Sequence, residues 1–292
     1  MRARQESILS RARITHRHRA LLIGLGAVAL LIVGAVAGVA LLLSGAYSTA
    51  ATKQHFRITY RILELGLRYS VASYADDIEA PHSDRGGDVN VGQACYRQYC
   101  QQCHGAPGIA REAVGRGQLP SPGQLSQSAR EWSAAELFYV TQQGVRMSGM
   151  PAWQYRISEE GLWSTVAFLK RMPELSRTEY ESMTSQGAAI ECPRAADDRP
   201  YTVERAKTMM LQYACHNCHQ IEGVVGPITY VGPDLRRWSQ RGYIAGVLPN
   251  TRENLVKWLL DPQDVSPQSL MPNLELTEAH ASDIARYLFE ES

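Results

Sequence analysis

The chain has 292 residues, of which 45% are hydrophobic and 20% charged, with 23 Gly and 14 Pro. This composition excludes a disordered acidic tail, a collagen and a low-complexity linker protein, and the length predicts about two globular domains plus appendages. Residues 1–19 hold six arginines and one glutamate, so the rest of the chain holds 24 basic and 28 acidic side chains. Because the excess of basic residues is confined to a short tail, we expect no nucleic acid partner.

An uncharged stretch follows the basic tail. Residues 20–43 are 24 consecutive residues without a charge, and a helix of that length extends about 36 Å, enough to cross a hydrocarbon core of about 30 Å. We predict one transmembrane helix at 20–43, in contact with membrane lipid. A cleaved signal peptide is the alternative, although its apolar segment usually has only about 7 to 15 residues. The positive-inside rule makes the tail 1–19 cytoplasmic and everything after Leu43 external.

Residues 47–88 are expected to form a juxtamembrane helix followed by a hinge. Apolar residues recur at helical spacing from Phe56 to Val71, and basic side chains lie on the other face. That helix lies either near lipid headgroups, or against a partner, or in an ordinary packing position. The Gly-rich residues 82–88 are typical of a turn.

Two later segments share one plan, which indicates an internal duplication. Each contains a helix, a Cys-x-x-Cys-His motif, a Gly/Pro-rich stretch, a second helix, a Met-Pro pair and a final helix. The first copy spans 89–173 and the second 201–291, with the polar stretch 174–200 as a linker. Neither copy shows a run of alternating strands. The predicted fold class is therefore all-α, with two small helical domains after one transmembrane helix.

The two motifs carry four of the six cysteines. Cys-x-x-Cys-His is the pattern of c-type haem attachment, because two thiols about one helical turn apart each form a thioether to the porphyrin and the next residue lies under the iron. A zinc ribbon needs four ligands on one metal, and a thioredoxin-like site has no adjacent histidine. We predict two covalently attached haem c groups. Their thioethers are assigned to Cys100, Cys103, Cys215 and Cys218, and their proximal ligands to His104 and His219.

A methionine before a proline is the candidate for the second axial ligand in each copy. Met150 follows its histidine by 46 residues and Met271 by 52. Proline fixes the backbone beside the ligand, which suits a loop that holds sulfur over iron. Met147 is the rival of Met150. The methionines interpreted instead as core-filling residues are Met172, Met209 and Met210.

Both copies resemble the class I cytochromes c over about 175 residues. The first has Gly92 and Tyr96 before its motif and Phe168 in its final helix, positions where the family's first and last helices cross. The second has the runs 232–235, 248–255 and 285–288, together with Asp261-Pro262-Gln263, and it closely resembles the cytochrome c domain fused to subunit II of some haem-copper oxidases. No cupredoxin pattern precedes these domains, so the chain is not predicted to be subunit II itself.

The resemblance also implies contacts with haem and marks some departures. It implies that the Pro233 carbonyl lies on Nδ1 of His219 and that Trp258, with Arg241 or Trp238, binds a haem propionate. The positions that depart from the family are Lys207 and Leu211, which replace a glycine and an aromatic residue, and Gly123, which stands where proline is expected.

Cys95 and Cys192 lie outside both motifs. In an oxidising compartment they form either a disulfide, which ties the linker back to the first domain, or two buried free thiols.

Histidine and methionine ligation closes both sides of an iron, so we predict an electron carrier and not an enzyme. The expected donor is a cytochrome bc-type complex or a soluble cytochrome, and the expected acceptor is a terminal oxidase or another protein. The expected location is a bacterial inner membrane, single-pass, with the haem domains in the periplasm. The alternatives are a subunit bound permanently in an oxidase or dehydrogenase complex and a dihaem peroxidase, which the two Met-Pro pairs disfavour. Docking is expected at residues such as Gln101 and Asn217, beside the thioethers.

Overall fold

The computed structural model describes residues 2–81, 87–195 and 199–291. Among these the one sheet is a two-stranded hairpin of β1 (Tyr243–Ile244) and β2 (Leu248–Pro249), so the all-α prediction is confirmed. Two compact units are present, Met1–Arg61 and Ile62–Ser292. The helices are α1 Arg2–Leu43, α2 Arg57–Ala75, α3 Val89–Tyr99, α4 Gln101–His104, α5 Ala113–Gly117, α6 Leu125–Glu131, α7 Ala134–Gln143, α8 Glu159–Arg171, α9 Arg177–Gln186, α10 Val203–Gln212, α11 Arg252–Leu260, α12 Pro262–Val265 and α13 Glu278–Glu290.

Helix α1 contains the apolar stretch of the first unit. Residues Leu21–Leu43 have a mean hydropathy of 2.7 and none of them is buried. The helix is thus long and apolar enough to cross a membrane, a test that a signal sequence also passes. The expected hinge falls largely on residues 82–86, which lie outside the described part of the chain.

The first half of the larger unit, residues 87–195, is built on the crossing of α3 and α8. Gly92 allows the two helices to touch, because a Cβ atom there would lie 1.9 Å from the carbonyl oxygen of Ser164. The rings of Tyr96 and Phe168 pack beside it with centroids 5.2 Å apart, and both are buried. The three residues that the resemblance placed at a helix crossing therefore meet there.

A disulfide and a further helix complete this half. Cys95 on α3 is bridged to Cys192, so the disulfide is the alternative that the structure adopts. Helix α9 lies within the stretch expected to be a polar linker, yet Tyr180 on it is buried against Phe168. Gln93 also donates a 2.7 Å hydrogen bond to the Thr184 hydroxyl. The stretch 174–195 thus packs against the first half through a few buried side chains such as Tyr180 and Cys192, while residues 196–198 lie outside the described ranges.

The second half, residues 199–291, has its own core between α10, α11 and α13. Arg205 on α10 pairs with Asp283 on α13 at 2.7 Å, with side-chain exposures of 7% and 15%. Lys207 lies 5.8 Å from the ring centroid of Tyr287, and Leu211 is 42% exposed. The crossing therefore forms without the glycine and aromatic residue that the family uses. Met209 and Met210, like Met172 in the first half, are buried in the core as predicted.

Candidate functional site

The first motif lies where α3 ends. Cys100 is the C-terminal cap of α3, and Cys103 and His104 lie on the short helix α4. The motif therefore spans about one helical turn. Both thiols are free of disulfides and half-buried. Burial raises the pKa of Cys100 to about 12. Tyr96 donates a 2.5 Å hydrogen bond to the carbonyl of Gly105 and fixes the chain just beyond the histidine.

The second motif is entered through a left-handed residue. Ala214 has φ +57° and leads into a 3-10 turn at Cys215–Asn217. The amide of His219 then donates to the carbonyl of Cys215 at 3.0 Å, which matches the 3.0 Å bond from His104 to Cys100 in the first motif. Burial raises the pKa of Cys215 to about 11. The two motifs therefore share the hydrogen bond from the histidine amide to the carbonyl of the first cysteine, although the chain enters them differently.

A backbone carbonyl faces Nδ1 of each histidine. The distance is 3.1 Å from His104 to Gly123 and 2.7 Å from His219 to Pro233, as the resemblance implied for Pro233. A carbonyl accepts only from a protonated Nδ1, so Nε2 is left with its lone pair for a metal. Burial also lowers the pKa of His104, which favours the neutral ring that a ligand needs. Gly123 stands where proline is expected and still supplies the acceptor, because the acceptor is a backbone carbonyl.

The methionine turns have the same internal support in both halves. The amide of Met150 donates to the Ser148 hydroxyl at 3.1 Å, and that of Met271 donates to the Ser269 hydroxyl at 3.2 Å. Gln263 also donates a 2.5 Å bond to the Met271 carbonyl. Both methionines are half-buried. Both turns have the sequence Ser-x-Met-Pro. The serine is a signal in the sequence that the Met-Pro pairs alone do not include.

Met147 lies outside this pattern. It has φ +59° and its side chain is 93% exposed. Only Met150 occupies the position in its turn that Met271 occupies in the second half, which favours Met150 over its rival.

The expected haem-contact residues of the second half fall into two groups. Arg241 stacks on Trp238, with its guanidinium carbon 5.1 Å from the ring centroid, and donates to the Asp234 carbonyl. Asn250 holds this pair in place through bonds of 3.1 Å to the Trp238 carbonyl and 3.0 Å to that of Arg241. Trp258 lies separately on α11, half-buried against the second core. Trp238 is itself buried.

One expected docking residue, Gln101, forms a hydrogen bond within the chain. The hydroxyl of Tyr180 donates to the side-chain carbonyl of Gln101, between the two cysteines of the first motif. Gln101 is half-buried as a result, whereas its neighbour Gln102 is exposed. Helix α9 thus covers part of the surface where a partner was expected.

These residues fit covalently attached haem. Each half offers two unbridged, half-buried thiols, a histidine whose Nδ1 faces a carbonyl, and a methionine held in a hydrogen-bonded turn. A soft thioether and an imidazole are ligands that haem iron accepts.

Residues 87–169 match the family described as cytochrome C oxidase, cbb3-type, subunit III. Residues 87–169 form a cytochrome c domain. Such a domain carries covalently bound haem c and transfers electrons. The chain is also 28% identical over 116 residues to cytochrome c oxidase subunit 2 of Alkalihalophilus pseudofirmus, a match that covers 39% of this chain and 32% of that protein. The chain therefore spans about a third of the length of this relative.

The cytochrome c domain contains α3 to α7 and most of α8, and its match ends at Leu169, before α9 begins. A chain of the Kuenenia stuttgartiensis reducing HAO-like protein complex is 17% identical, with 72% of this chain and 98% of that chain covered and a TM-score of 0.25.

Proposed function

We propose that this protein is a membrane-anchored dihaem c-type cytochrome that transfers electrons in a respiratory chain. The observation that carries the proposal is a repeated arrangement. Each half has a Cys-x-x-Cys-His motif, a carbonyl on Nδ1 of its histidine and a Ser-x-Met-Pro turn. The family match covers the first site, and the repetition supports the second.

The chain's own residues hold each group and set its properties. The cysteines would attach the porphyrin, the histidines and methionines would bind the iron, and the carbonyls and serines would orient those ligands. Bound haem supplies one-electron cycling between Fe(II) and Fe(III). With a histidine and a methionine both bound to iron, the haem would have no open position for a substrate, which supports a role in electron carriage. Arg241, Trp238 and Trp258 are assigned to haem propionates in the second half.

Counting haems tests this proposal. The pyridine haemochrome assay should give two haems per chain for the full protein. Paired Cys100→Ala and Cys103→Ala substitutions should leave one, and the same pair at Cys215 and Cys218 should leave the other. One haem in the unaltered protein, attached to the first motif only, would contradict the dihaem assignment.

The partners follow from the redox role. We assign a cytochrome bc-type complex or another cytochrome as donor and a terminal oxidase as acceptor, with the haem-bearing halves in the periplasm and α1 in the inner membrane. A permanent subunit of an oxidase is the second candidate, because both the matched family and the curated relative are named as oxidase subunits. Purification in mild detergent separates these roles. Stoichiometric oxidase subunits in the peak would support permanent assembly, and a lone chain would support a carrier.

A further inference from the structure

A contact between the two halves links their candidate sites. Tyr155 lies in the 3-10 turn Trp153–Tyr155, five residues after Met150, and packs against the second core. Its ring meets that of His280 edge-on, with centroids 6.2 Å apart. His280 is buried at the start of α13, and its Nδ1 lies 2.9 Å from the Tyr213 hydroxyl. Tyr213 itself stands two residues before Cys215.

Two arginines hold this contact. Arg199 stacks on Tyr155 with its guanidinium carbon 4.9 Å from the ring centroid, and it donates a 2.6 Å bond to the Gln154 carbonyl. Arg156 lies over the ring of Tyr213 at 5.7 Å. Stacked guanidinium groups and edge-on rings fix orientation as well as distance. The contact therefore has a defined geometry, and it forms the joint between the two halves.

We propose that Tyr155 and Arg199 are positioning residues that hold the Met150 side of the first site against the Cys215 side of the second, so that electrons pass directly between the two sites of one chain. This inference rests on the proposed function, in which both halves carry haem. The step is an exchange of one electron between Fe(II) in one half and Fe(III) in the other. No bond changes, no proton moves and no side chain is oxidised. Because electron transfer slows steeply with separation, we expect loss of the joint to slow this exchange.

The first test measures the joint itself in the full haem-loaded protein. Hydrogen exchange reports local opening, so amides around Tyr213 and at the start of α13 should exchange about tenfold faster in Tyr155→Ala, where an edge-on ring contact is lost. Arg199→Ala should act in the same direction. Tyr155→Phe keeps the ring and should match the unaltered protein. Tyr69→Ala removes a ring that is 77% exposed on α2 and serves as the control.

The second test measures electron exchange. A pulse of reductant that supplies less than one electron per chain should be followed by redistribution between the haems at a rate independent of protein concentration. The haem absorbance and freeze-quench EPR signals would report it. Tyr155→Ala and Arg199→Ala should slow this step by at least about tenfold, since small misplacements cost that much in positioned reactions. Tyr155→Phe and Tyr69→Ala should not.

Unchanged redistribution in both alanine variants would overturn the inference, whether or not their hydrogen exchange rises. A single haem per chain in the unaltered protein would instead overturn the proposed function, and the inference with it. The haem count therefore separates the two failures.

Discussion

At the scale of single residues, one serine in each half supports the turn that holds the methionine. Ser148 and Ser269 each accept a hydrogen bond from the amide of the methionine two positions later, so the chain's own hydrogen bonds support each turn. A turn held in this way has less conformational entropy to lose when its methionine is fixed on a metal. The residue types at the sites were predictable from the two motifs. The serines escaped prediction because Ser-x-Met-Pro is too short and common to stand out in one copy.

Replacement of Met150 by alanine should open one iron, lower its reduction potential and admit small ligands, because a thioether favours Fe(II). The haem of the other half should keep its potential. Redox titration with carbon monoxide binding measures both effects.

Met147→Ala is the matched control for Met150→Ala, because Met147 is 93% exposed only three positions away. It should leave potential and ligand binding as they are. If Met147→Ala opened the iron and Met150→Ala did not, the ligand assignment would be wrong.

At the scale of elements, each half is organised around a helix crossing, and the two crossings depend on different residues. The α3–α8 crossing depends on a glycine, whereas α10 and α13 are joined by a buried ion pair. The first was foreseeable because Gly92, Tyr96 and Phe168 match a family pattern. Helix α9 was not, because Tyr180 and Met183 are its large apolar side chains in an otherwise polar stretch, and their burial depends on tertiary contacts that periodicity does not register.

Gly92→Ala should destabilise the first half by about 3 kcal/mol or more, because the added methyl meets the Ser164 backbone, which has no flexible end to move away. Thermal unfolding followed by circular dichroism measures the change. Gly66→Ala is the control. It lies in α2 with open space around it, and alanine there should stabilise the helix by about 0.5 to 1 kcal/mol. Equal melting temperatures for the two variants would refute this account of the crossing.

The buried pair of the second half gives a prediction with an internal control. Arg205→Met alone leaves Asp283 without its ionic partner and should cost about 3 to 5 kcal/mol of unfolding free energy. The double variant with Asp283→Leu removes both charges and should recover most of that loss. Urea titration measures both. A double variant as unstable as the single one would show that packing, not the uncompensated charge, dominates.

At the scale of the whole molecule, α1 decides where the haem-bearing part can act. A chain held by a span of 23 apolar residues moves in two dimensions and meets its partners at the membrane surface. A chain released by a signal peptidase would diffuse freely. Composition predicted the span, but the choice between anchor and cleaved leader depends on processing, which a hydropathy pattern does not encode.

We expect the span to be retained in the mature protein. Mass spectrometry of the chain from native membranes should recover peptides from residues 2–19, and the protein should resist extraction with sodium carbonate. A mature amino terminus near residue 46, with the haem-bearing part in the soluble fraction, would be the opposite result.

The disulfide has a consequence for how the chain is made. Six thiols enter the compartment where we place this part of the protein, and only one of their many pairings leaves all four motif cysteines open for haem. The Cys95–Cys192 bridge closes a loop of 97 residues that contains the whole first motif, so oxidation and haem attachment act on the same stretch. The two kinds of cysteine differ in how deeply they are buried. Cys95 and Cys192 are 0% and 6% exposed, whereas the four motif cysteines are half-buried. We therefore expect a reductant to reach a mistaken Cys100–Cys103 bridge more readily than the structural disulfide.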